Sequence, residues 1–387
     1  MIFEANRLIM HEAAKNAAKI APAHTHSEVL NGILVESNDD TGEIYMTATN
    51  HEVSIQQKII TSVQQSGAML INSRLLVDMM AKLDGDFVTM SAENPHLLKV
   101  TGGKCIYHIN CLSSKSYPKP IMPFPEENVI MTGICSLAKR TVFAVGTDDN
   151  KLALQCVQVK LKNNAVHAAA FDGNRMMLIR DAAEPTDERE FLLPGRALQL
   201  LASISKDDDV FEVGDIGKEV VFVRGDMIFT IRKLSTGAFV DINKLVKSIK
   251  PEYTAVVDVD KMTEALSIIS VGALAGDAQV PANMLFSNGE ITMRCHNDCS
   301  EVSSSVPASI SKDTPVTGFY YDISALLKLF QVINGRVKIE LDLKGFMMIK
   351  TRSEVYCQGP VHPPVKQDKS TKEEKRAKGA KDVKEAA

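Results

Sequence analysis

The chain has 387 residues, 45% of them hydrophobic, and carries a formal net charge of -4. This length and composition suit two or three domains that each bury a core without disulfides, and no apolar run is long enough to cross a membrane. The seven cysteines form an odd set without the spacing of a disulfide framework, and no signal peptide is recognisable. We therefore expect a cytoplasmic protein with reduced thiols and no membrane partner.

The elements of module I (residues 1–127) open with a helix predicted over Arg7–Ile20, where alanines and larger apolar residues alternate with lysines. A second helix is predicted over Ser73–Leu83, where an apolar stripe recurs at helical spacing. Period-two patterns on either side of that helix predict strands. They cover Gly32–Ser37, Glu43–Asn50, Val53–Thr61, Phe87–Ser91, Leu97–Val100 and Cys105–Leu112.

Module II (residues 128–252) and module III (residues 253–364) repeat this plan. Helices are predicted over Ser136–Val145 and Gly195–Ile204 in module II, and over Asp260–Ser270 and Ile323–Ile333 in module III. Two helices with a majority of strands predict an α+β fold of three tandem similar modules, in each of which two helices pack against antiparallel sheet. The strand patterns are Lys151–Val159, Ala165–Phe171, Met176–Asp181, Val210–Val213, Glu219–Arg224, Met227–Lys233, Met284–Phe286, Glu290–His296, Ser300–Val306, Val337–Leu343, Met347–Thr351 and Val355–Gln358.

Two landmarks recur along the chain with one period of about 120 residues. The first is a strand-like run with a turn at its end, and the second is the start of the second helix. A repeat of this length is a whole domain, far larger than the unit of a solenoid. Three such domains in series suggest rotational pseudo-symmetry, as in a ring or an arc. The runs end at Asn50-His51, Asp172-Gly173 and Asn297-Asp298, and the helices open near Ser73, Gly195 and Asp322.

Charge is distributed unevenly. Residues 366–387 hold seven Lys and one Arg against five acidic residues, a net of +3 that leaves -7 on residues 1–365. Almost no apolar residue accompanies these lysines, so we predict a disordered Lys-rich tail over residues 365–387. A solubilising tail and an arm that contacts nucleic acid both fit this composition, and the sequence leaves the two open.

The predicted helices carry neutral or basic polar faces, although residues 1–365 are acidic overall. If the helices share one side of each module, a weakly cationic face lies on an acidic protein. Exposed helices often carry Lys and Arg for solubility alone, so one basic helix would not indicate a function. The informative observation is that the polar faces of all six predicted helices are neutral or basic. The candidate cations are Lys15, Lys19, Arg74, Lys82, Lys139, Arg140, Arg196, Lys261 and Lys328.

Two patterns invite a metal-site interpretation. Cys295-His296-x-x-Cys299 has ligand residue types, but a strand would place His296 on the face opposite the cysteines, and no second ligand pair is near in sequence. Residues 207–209 are three aspartates that fit a cation site or a solvated turn. We predict no metal, no cofactor and no catalytic site, because no nucleophile lies beside a candidate base.

Several short segments resemble the bacterial DNA polymerase III beta subunit family, the sliding clamps. The resemblance covers residues 1 to about 363, and its most specific part is the Asp-Gly-x-Arg element together with the triple repeat. It implies a head-to-tail homodimeric ring that encircles duplex DNA, tethers the replicative polymerase and has no catalytic site, with the helices lining the hole. The matching segments are Met1-Ile-Phe3, Leu30-Asn-Gly-Ile-Leu-Val-Glu36, Ala170-Phe-Asp-Gly-Asn-Arg-Met176, Phe191-Leu-Leu-Pro194, Met227-Ile-Phe-Thr230 and Tyr356-Cys-Gln-Gly-Pro-Val361.

The same resemblance implies that the candidate cations face double-stranded DNA. It also implies a hydrophobic cleft between modules II and III that binds peptides from the polymerase, the clamp loader and other proteins with clamp-binding motifs. Phe171, Met176, Val240 and Ile323 depart from the family pattern, which leaves the peptide motif open. The implied cleft residues are Leu154, Phe171, Gly173, Asn174, Arg175, Met176, Val240, Lys244, Leu245, Val280, Tyr320, Ile323, Pro360 and Val361.

For the dimer interface, the resemblance implies that edge strands of the two chains join. Cys105, Ile106, Tyr107 and Ile109 of one chain would meet Ile268, Ile269 and Val271 of the other. Two rival hypotheses stay open. One is a clamp-fold peptide-binding adaptor that does not close a ring on DNA, and the other is an enzyme with its site in a groove between modules.

Overall fold

A computed structural model describes residues 1–22, 27–148, 150–182, 188–234, 239–273, 281–297 and 300–363. The chain divides into two compact units, one made of residues 1–244 with 352–355 and the other of residues 245–351 with those from 356 onward. The predicted tail over residues 365–387 lies outside the described residues, and so do Val280 and Cys299. Within the described ranges, no helix has the length and apolar composition needed to span a bilayer.

Module I contains two helices that begin at capped ends. The side-chain oxygen of Asn6 accepts hydrogen bonds from the amides of Leu8 and Ile9, and Asn72 caps the second helix in the same way. The elements are β1 (Ile2–Asn6), α1 (Arg7–Ile20), β2 (Gly32–Asn38), β3 (Glu43–Thr49), β4 (Val53–Ile60), β5 (Ser62–Gln65), β6 (Gly67–Asn72), α2 (Ser73–Lys82), β7 (Phe87–Asn94), β8 (Leu97–Gly102) and β9 (Cys105–Asn110).

Module II differs from its predicted elements at its first helix and its first predicted strand, and it contains two strands (Val129–Thr132 and Arg189–Pro194) and a helix (Ile242–Ser248) that were not predicted. The first helix begins at Ile134 and gives way to a 3-10 turn over residues 142–144, and the strand predicted from Lys151 begins only at Cys156 because residues 152–155 form another 3-10 turn. The elements are β10 (Val129–Thr132), α3 (Ile134–Thr141), β11 (Cys156–Lys162), β12 (Ala165–Phe171), β13 (Arg175–Ala182), β14 (Arg189–Pro194), α4 (Gly195–Ser203), β15 (Val210–Ile216), β16 (Glu219–Arg224), β17 (Met227–Arg232) and α5 (Ile242–Ser248).

Module III follows the same order of elements. Its second helix is capped by the Asp322 carboxylate, which accepts from the amides of Ser324 and Ala325. The elements are β18 (Tyr253–Asp258), α6 (Val259–Ala273), β19 (Ala282–Ser287), β20 (Glu290–His296), β21 (Glu301–Ile310), β22 (Phe319–Tyr321), α7 (Ile323–Phe330), β23 (Arg336–Leu341), β24 (Met347–Lys350) and β25 (Glu354–Gln358).

The order strand, helix, four or five strands, helix and three strands therefore occurs three times. In each module the two helices pack against each other, and the first of them lies on the third and fourth strands of the repeat. The helix pairs and the antiparallel sheets confirm the predicted α+β class. The boundaries between the modules stay a prediction.

All strand pairs described here are antiparallel. In the first unit, five strands run in the order β5-β1-β7-β8-β9, eight in the order β10-β15-β16-β17-β4-β3-β2-β6, and four in the order β14-β11-β12-β13. The eight-stranded sheet joins modules I and II, because β17 pairs with β4 from Met227 opposite Gln57 to Ile231 opposite Val53. In the second unit, seven strands run in the order β24-β23-β18-β21-β20-β19-β22.

One turn recurs in all three modules and sets the equivalence of residues between them. The amide of Asn50 donates to the carbonyl of Val53, that of Asp172 to Arg175, and that of Asn297 to Ser300, at 3.1, 3.1 and 2.9 Å. In each turn the first side chain also accepts from the last amide, as in an Asx turn. The repeat read from the sequence is thus a repeat of hydrogen-bonded geometry.

Candidate functional site

Seven of the nine candidate cations have exposed side chains, and among these only Arg74 has a described carboxylate within 4.0 Å, that of Asp78 one helical turn away. The seven are Lys15, Lys19, Arg74, Lys82, Arg196, Lys261 and Lys328. Lys19 lies at the carboxyl end of α1, and its Nζ donates to the carbonyl of Ser203, the last residue of α4, at 2.5 Å. This hydrogen bond brings the carboxyl end of α1 in module I to the carboxyl end of α4 in module II. Partial burial, and then the neighbouring Lys15, lower the pKa of Lys19.

Lys139 is exposed but faces an acid. Its Nζ lies 3.4 Å from Oδ1 of Asp207, and both side chains are largely solvated. Hydrogen bonds with the Cys135 thiol and with Asp207 raise the pKa of Lys139. An exposed pair of this kind is weak, so Lys139 stays accessible to an anion that competes with Asp207.

Arg140 does not belong with the exposed cations. Only 15% of its side chain is accessible, its Nη1 lies 2.8 Å from Oε1 of Glu354, and its Nη2 bonds Asp181. Burial lowers the pKa of Arg140, but hydrogen bonds from the two carboxylates outweigh that effect and raise it. Because its guanidinium is committed to two carboxylates inside the first unit, Arg140 is less available for a phosphate contact than the exposed cations.

The predicted peptide-site residues of the first unit gather around the turn that begins at Asp172. Its carboxylate accepts from the amides of Asn174 and Arg175 and pairs with Nε of Arg175 at 2.5 Å. Gly173 has φ +105°, a conformation that favours glycine. The guanidinium of Arg175 is therefore held against its own turn by Asp172.

Apolar side chains flank this turn. Phe171 lies directly opposite Met176 at the end of the β12–β13 pair. Gly146 bonds the carbonyl of Leu154 at 2.7 Å, and a Cβ added to it would lie 3.4 Å from Leu154 and 3.6 Å from Asp172, so Leu154 adjoins the turn. Phe171 and Leu154 are half-buried, whereas Met176 is only 6% exposed.

Met176 and Ile323, both predicted to line the cleft, lie inside their own modules. Ile323 has no accessible surface at all. A charged substitution at either position would place a carboxylate in a core, and the protein would lose stability whatever the residue binds. The half-buried Val240 and the exposed Lys244, whose Nζ lies 3.6 Å from Asp241, are the other predicted residues in the first unit.

In the second unit, Tyr320 and Val361 are neighbours, because the amide of Val361 donates to the carbonyl of Tyr320 at 2.8 Å. Gln358 donates to the carbonyl of Asp322 at the start of α7, which ties this segment to the helix. Pro360 and Leu245 are half-buried. Val280 lies outside the described residues.

The predicted interface residues divide by exposure. Ile106 on β9 is 57% exposed, and Ile268 and Val271 on α6 are 47% and 75% exposed, as an interface requires. Ile109 and Ile269 are buried in the cores of their own modules and offer almost no side-chain surface to a partner. Cys105 and Tyr107 are half-buried.

Leu75 was missed as a surface residue. It belongs to the apolar stripe from which α2 was predicted, yet 40% of it is exposed. Periodicity alone places it in that stripe, and its exposure depends on what packs against the helix.

The acid cluster at residues 207–209 is bound to cations of the chain itself. Asp209 accepts from the amide of Lys206 at 2.7 Å and pairs with Arg224, and Asp207 pairs with Lys139. The described residues contain no group of three or more His, Cys, Asp or Glu side chains placed to hold a metal ion. Cys295 is a buried free thiol, and Cys299 of the same pattern lies outside the described residues.

Two family models match the chain. Residues 1–122 match the DNA polymerase III beta subunit N-terminal domain, and residues 130–241 match the central domain of the same subunit. The beta sliding clamp of Bacillus subtilis is 24% identical over 250 residues, which cover 61% of this chain and 65% of that protein. The beta sliding clamp of Synechococcus elongatus is 24% identical over 267 residues, covering 67% and 70%.

Solved structures share the fold. The Bacillus subtilis DNA polymerase sliding clamp superposes with a TM-score of 0.83 at 19% identity, over 94% of this chain and 100% of that chain. The Pseudomonas aeruginosa sliding clamp bound to griselimycin superposes with a TM-score of 0.81 at 18% identity, over 94% and 99%. The three-module α+β architecture is therefore that of the sliding clamps.

Proposed function

Because the chain belongs to the DNA polymerase III beta subunit family, we propose that it is a DNA sliding clamp, a processivity factor that encircles duplex DNA and tethers the replicative polymerase. The threefold repeat carries this proposal, since three equivalent modules per chain can close a pseudo-symmetric ring when two chains meet head to tail. The protein acts by binding alone, and no step of its action requires a cofactor.

Ring closure needs a second copy of the chain. The exposed Ile106 and Leu75 of module I and the exposed Ile268 and Val271 of module III are the apolar surface that such a contact would cover. Each of these side chains contributes roughly 1.5–3 kcal/mol when it is fully buried, which supports a stable dimer.

Contact with DNA is assigned to the exposed helix cations, with Arg140 removed from the set and Lys139 retained. These cations are distributed over six helices, and no single helix carries the cluster of basic residues that a groove-binding helix needs. Phosphate contacts of this kind are exchangeable between neighbouring positions, which lets a ring slide without sequence preference.

The polymerase, the clamp loader and other clamp-binding proteins are proposed to dock through short apolar peptides. In the first unit the proposed peptide-binding residues are Phe171 and Leu154 beside the Asp172 turn, and in the second unit they are Tyr320, Pro360 and Val361. Burial of three or four apolar side chains, less the cost of immobilising the peptide, suggests a Kd of roughly micromolar order.

Static light scattering at micromolar concentration tests the assembly. The ring predicts twice the 42.3 kDa mass of one chain. A single 42.3 kDa species at that concentration would contradict ring closure and favour the adaptor that binds peptides without encircling DNA.

A further inference from the structure

Three basic side chains lie side by side on the sheet β14-β11-β12-β13 of module II. Lys160 on β11 lies directly opposite His167 on β12, and His167 lies directly opposite Arg180 on β13. Residues that are opposite each other on neighbouring strands have Cβ atoms about 4.5–5.5 Å apart. The three side chains therefore form a line across the sheet, which we call the cationic row.

The cationic row lies on the face of the sheet that points away from the helices. The guanidinium of Arg140 on α3 bonds Asp181, the residue that follows Arg180 on β13. Because successive side chains of a strand point to opposite faces, Arg180 points away from α3. The same alternation places Phe171 on the face of His167, four residues away along β12.

The two ends of the cationic row differ in their charge balance. The Lys160 side chain is 42% exposed, and its Nζ lies 3.2 Å from Oε2 of Glu190 on β14. At the other end Arg180 is exposed, and His167 beside it is half-buried. Among the ion pairs of the described residues, none includes Arg180. The described part of the chain thus balances the row at Lys160 and leaves the guanidinium at its other end accessible.

Module I shows how this face can bind a chain segment. The recurring turn places Glu36, Tyr45 and Lys58 at the three positions of the row. There the Nζ of Lys119, which follows the last strand of module I, lies 2.8 Å from Oε2 of Glu36. Residues 119–122, which form neither helix nor strand, line a cavity together with Glu36 and Tyr45. On module I the chain itself therefore supplies a charge opposite to that of the residue in the row.

We propose that the cationic row of module II binds an acidic residue of the same peptide that docks at Phe171. Since the contact belongs to that peptide, it rests on the proposed function and adds the chemistry of the peptide beside its apolar anchor. The Asp or Glu carboxylate would lie between His167 and Arg180, because a guanidinium fork matches the two oxygens of a carboxylate.

The distance along the strand sets the spacing in the peptide. A strand rises about 3.3 Å per residue, so the four residues from Phe171 to His167 span about 13 Å. Ala169 and Leu178 lie opposite each other between these two points. Ala169 is 6% exposed and Leu178 is half-buried, so an extended peptide would cross a shallow apolar path. The acid is therefore expected about four residues from the apolar anchor.

The experiment compares matched peptides on the full-length chain by fluorescence anisotropy. The probe is the tightest of a set of overlapping peptides that span the replicative polymerase of the source organism. Its anchor is the apolar residue whose replacement by alanine weakens binding most. Glu or Gln is then placed four residues before or after that anchor, which gives two matched pairs. In one pair we expect the Glu peptide to bind roughly 3- to 10-fold more tightly than the Gln peptide.

Protein variants place the preference at the row. Arg180→Glu should abolish the preference for the Glu peptide and leave the affinity for the Gln peptide unchanged, which also shows that the variant is folded. A peptide with Lys in place of Glu should bind Arg180→Glu more tightly than it binds the unaltered protein. Lys218→Glu is the matched control, because this exposed lysine lies in the turn between β15 and β16, and it should keep the preference.

The outcomes separate the cationic row from the peptide site. Equal affinities of the Glu and Gln peptides in both pairs, with binding still lost in Phe171→Ala, overturn the row and leave the peptide site intact. A Glu preference that persists in Arg180→Glu likewise overturns it. If no peptide binds, the peptide site falls and the row with it. If Arg180→Glu weakens the binding of a single-stranded oligonucleotide and changes neither peptide, the row contacts nucleic acid and the proposal is wrong.

Discussion

Modules I and II place different side chains at the same point of one backbone. At the end of the third and fourth strands of module I, Thr49 lies opposite Ser54, and their hydroxyls share a buried hydrogen bond of 2.8 Å. In module II the equivalent pair is Phe171 and Met176. The turn between the two residues has the same hydrogen bonds in both modules, so the difference lies in the side chains. Module I has a buried hydroxyl pair on either side of its turn, and module II has a half-buried phenyl ring and a methionine there.

The surroundings follow the same division. Tyr117, near the end of module I, is buried against Leu34 and Leu70, and burial raises the pKa of its phenol to about 12. Phe239, its equivalent near the end of module II, is half-buried. The aromatic residue of module I is therefore buried in its own core, whereas that of module II stays partly accessible. Module II is thus the part of this unit better suited to bind an apolar ligand.

The basic residues on the first helices of modules I and II also differ in their environment. Lys15 and Lys19 of module I are exposed on α1, whereas Arg140 of module II bonds two carboxylates. We expect Arg140→Ala to give the largest effect, a loss of about 3–5 kcal/mol in the free energy of unfolding, because it leaves Asp181 and Glu354 without their cation. Urea unfolding measures it, and Arg196→Ala, an exposed cation of the same module, should change stability by less than about 0.5 kcal/mol.

Peptide binding gives the next largest effect. Phe171→Ala should weaken a bound peptide by roughly 10- to 100-fold, since a buried Phe contributes about 1.5–3 kcal/mol. The probe is the tightest of a set of overlapping peptides spanning the replicative polymerase of the source organism, titrated by fluorescence anisotropy. Thr49→Ala in module I is the matched control, and its affinity should equal that of the unaltered protein. Equal affinities for all three proteins would remove module II from the site.

Thr49→Ala should lower the free energy of unfolding while leaving the affinity for peptide unchanged. It leaves the buried Ser54 hydroxyl without its partner, which costs roughly 1–2 kcal/mol. Met176→Leu, a change of similar volume at the position equivalent to Ser54, should cost less than about 1.5 kcal/mol. If the melting temperature of Thr49→Ala equals that of the unaltered protein, the hydrogen bond between Thr49 and Ser54 does not stabilise module I.

The smallest effects belong to single exposed cations. Lys15→Ala should leave unfolding unchanged and reduce the slope of log affinity against log salt by about 0.9, the value for one lost phosphate contact. Lys244→Ala removes an exposed lysine of α5 that is not among the proposed DNA-facing cations, and it should leave the slope unchanged. An unaltered slope for Lys15→Ala would remove that residue from the DNA-facing surface.

The sequence predicted the helices and most strands because their periodicities are long and regular. Helix α5 and seven strands were missed: β1, β5, β6, β10, β14, β18 and β22. Each of these strands is only three to six residues long, and all but β5 lead into a helix without a clear turn signal. The sequence shows that Met176, Ile269 and Ile323 are apolar. It does not show whether such a side chain is buried in its own module or exposed to a partner, because that depends on tertiary packing. The burial of Arg140 was equally hidden, because Asp181 and Glu354 are distant from it in sequence.

Retention on DNA tests encirclement most directly. Protein is loaded onto a nicked circular duplex and the circle is then cut once, at constant salt and with free ends. A ring that slides should stay on the intact circle and leave the linear molecule within minutes, because no contact in this surface is specific enough to hold it. Equal retention on circular and linear DNA would contradict the account.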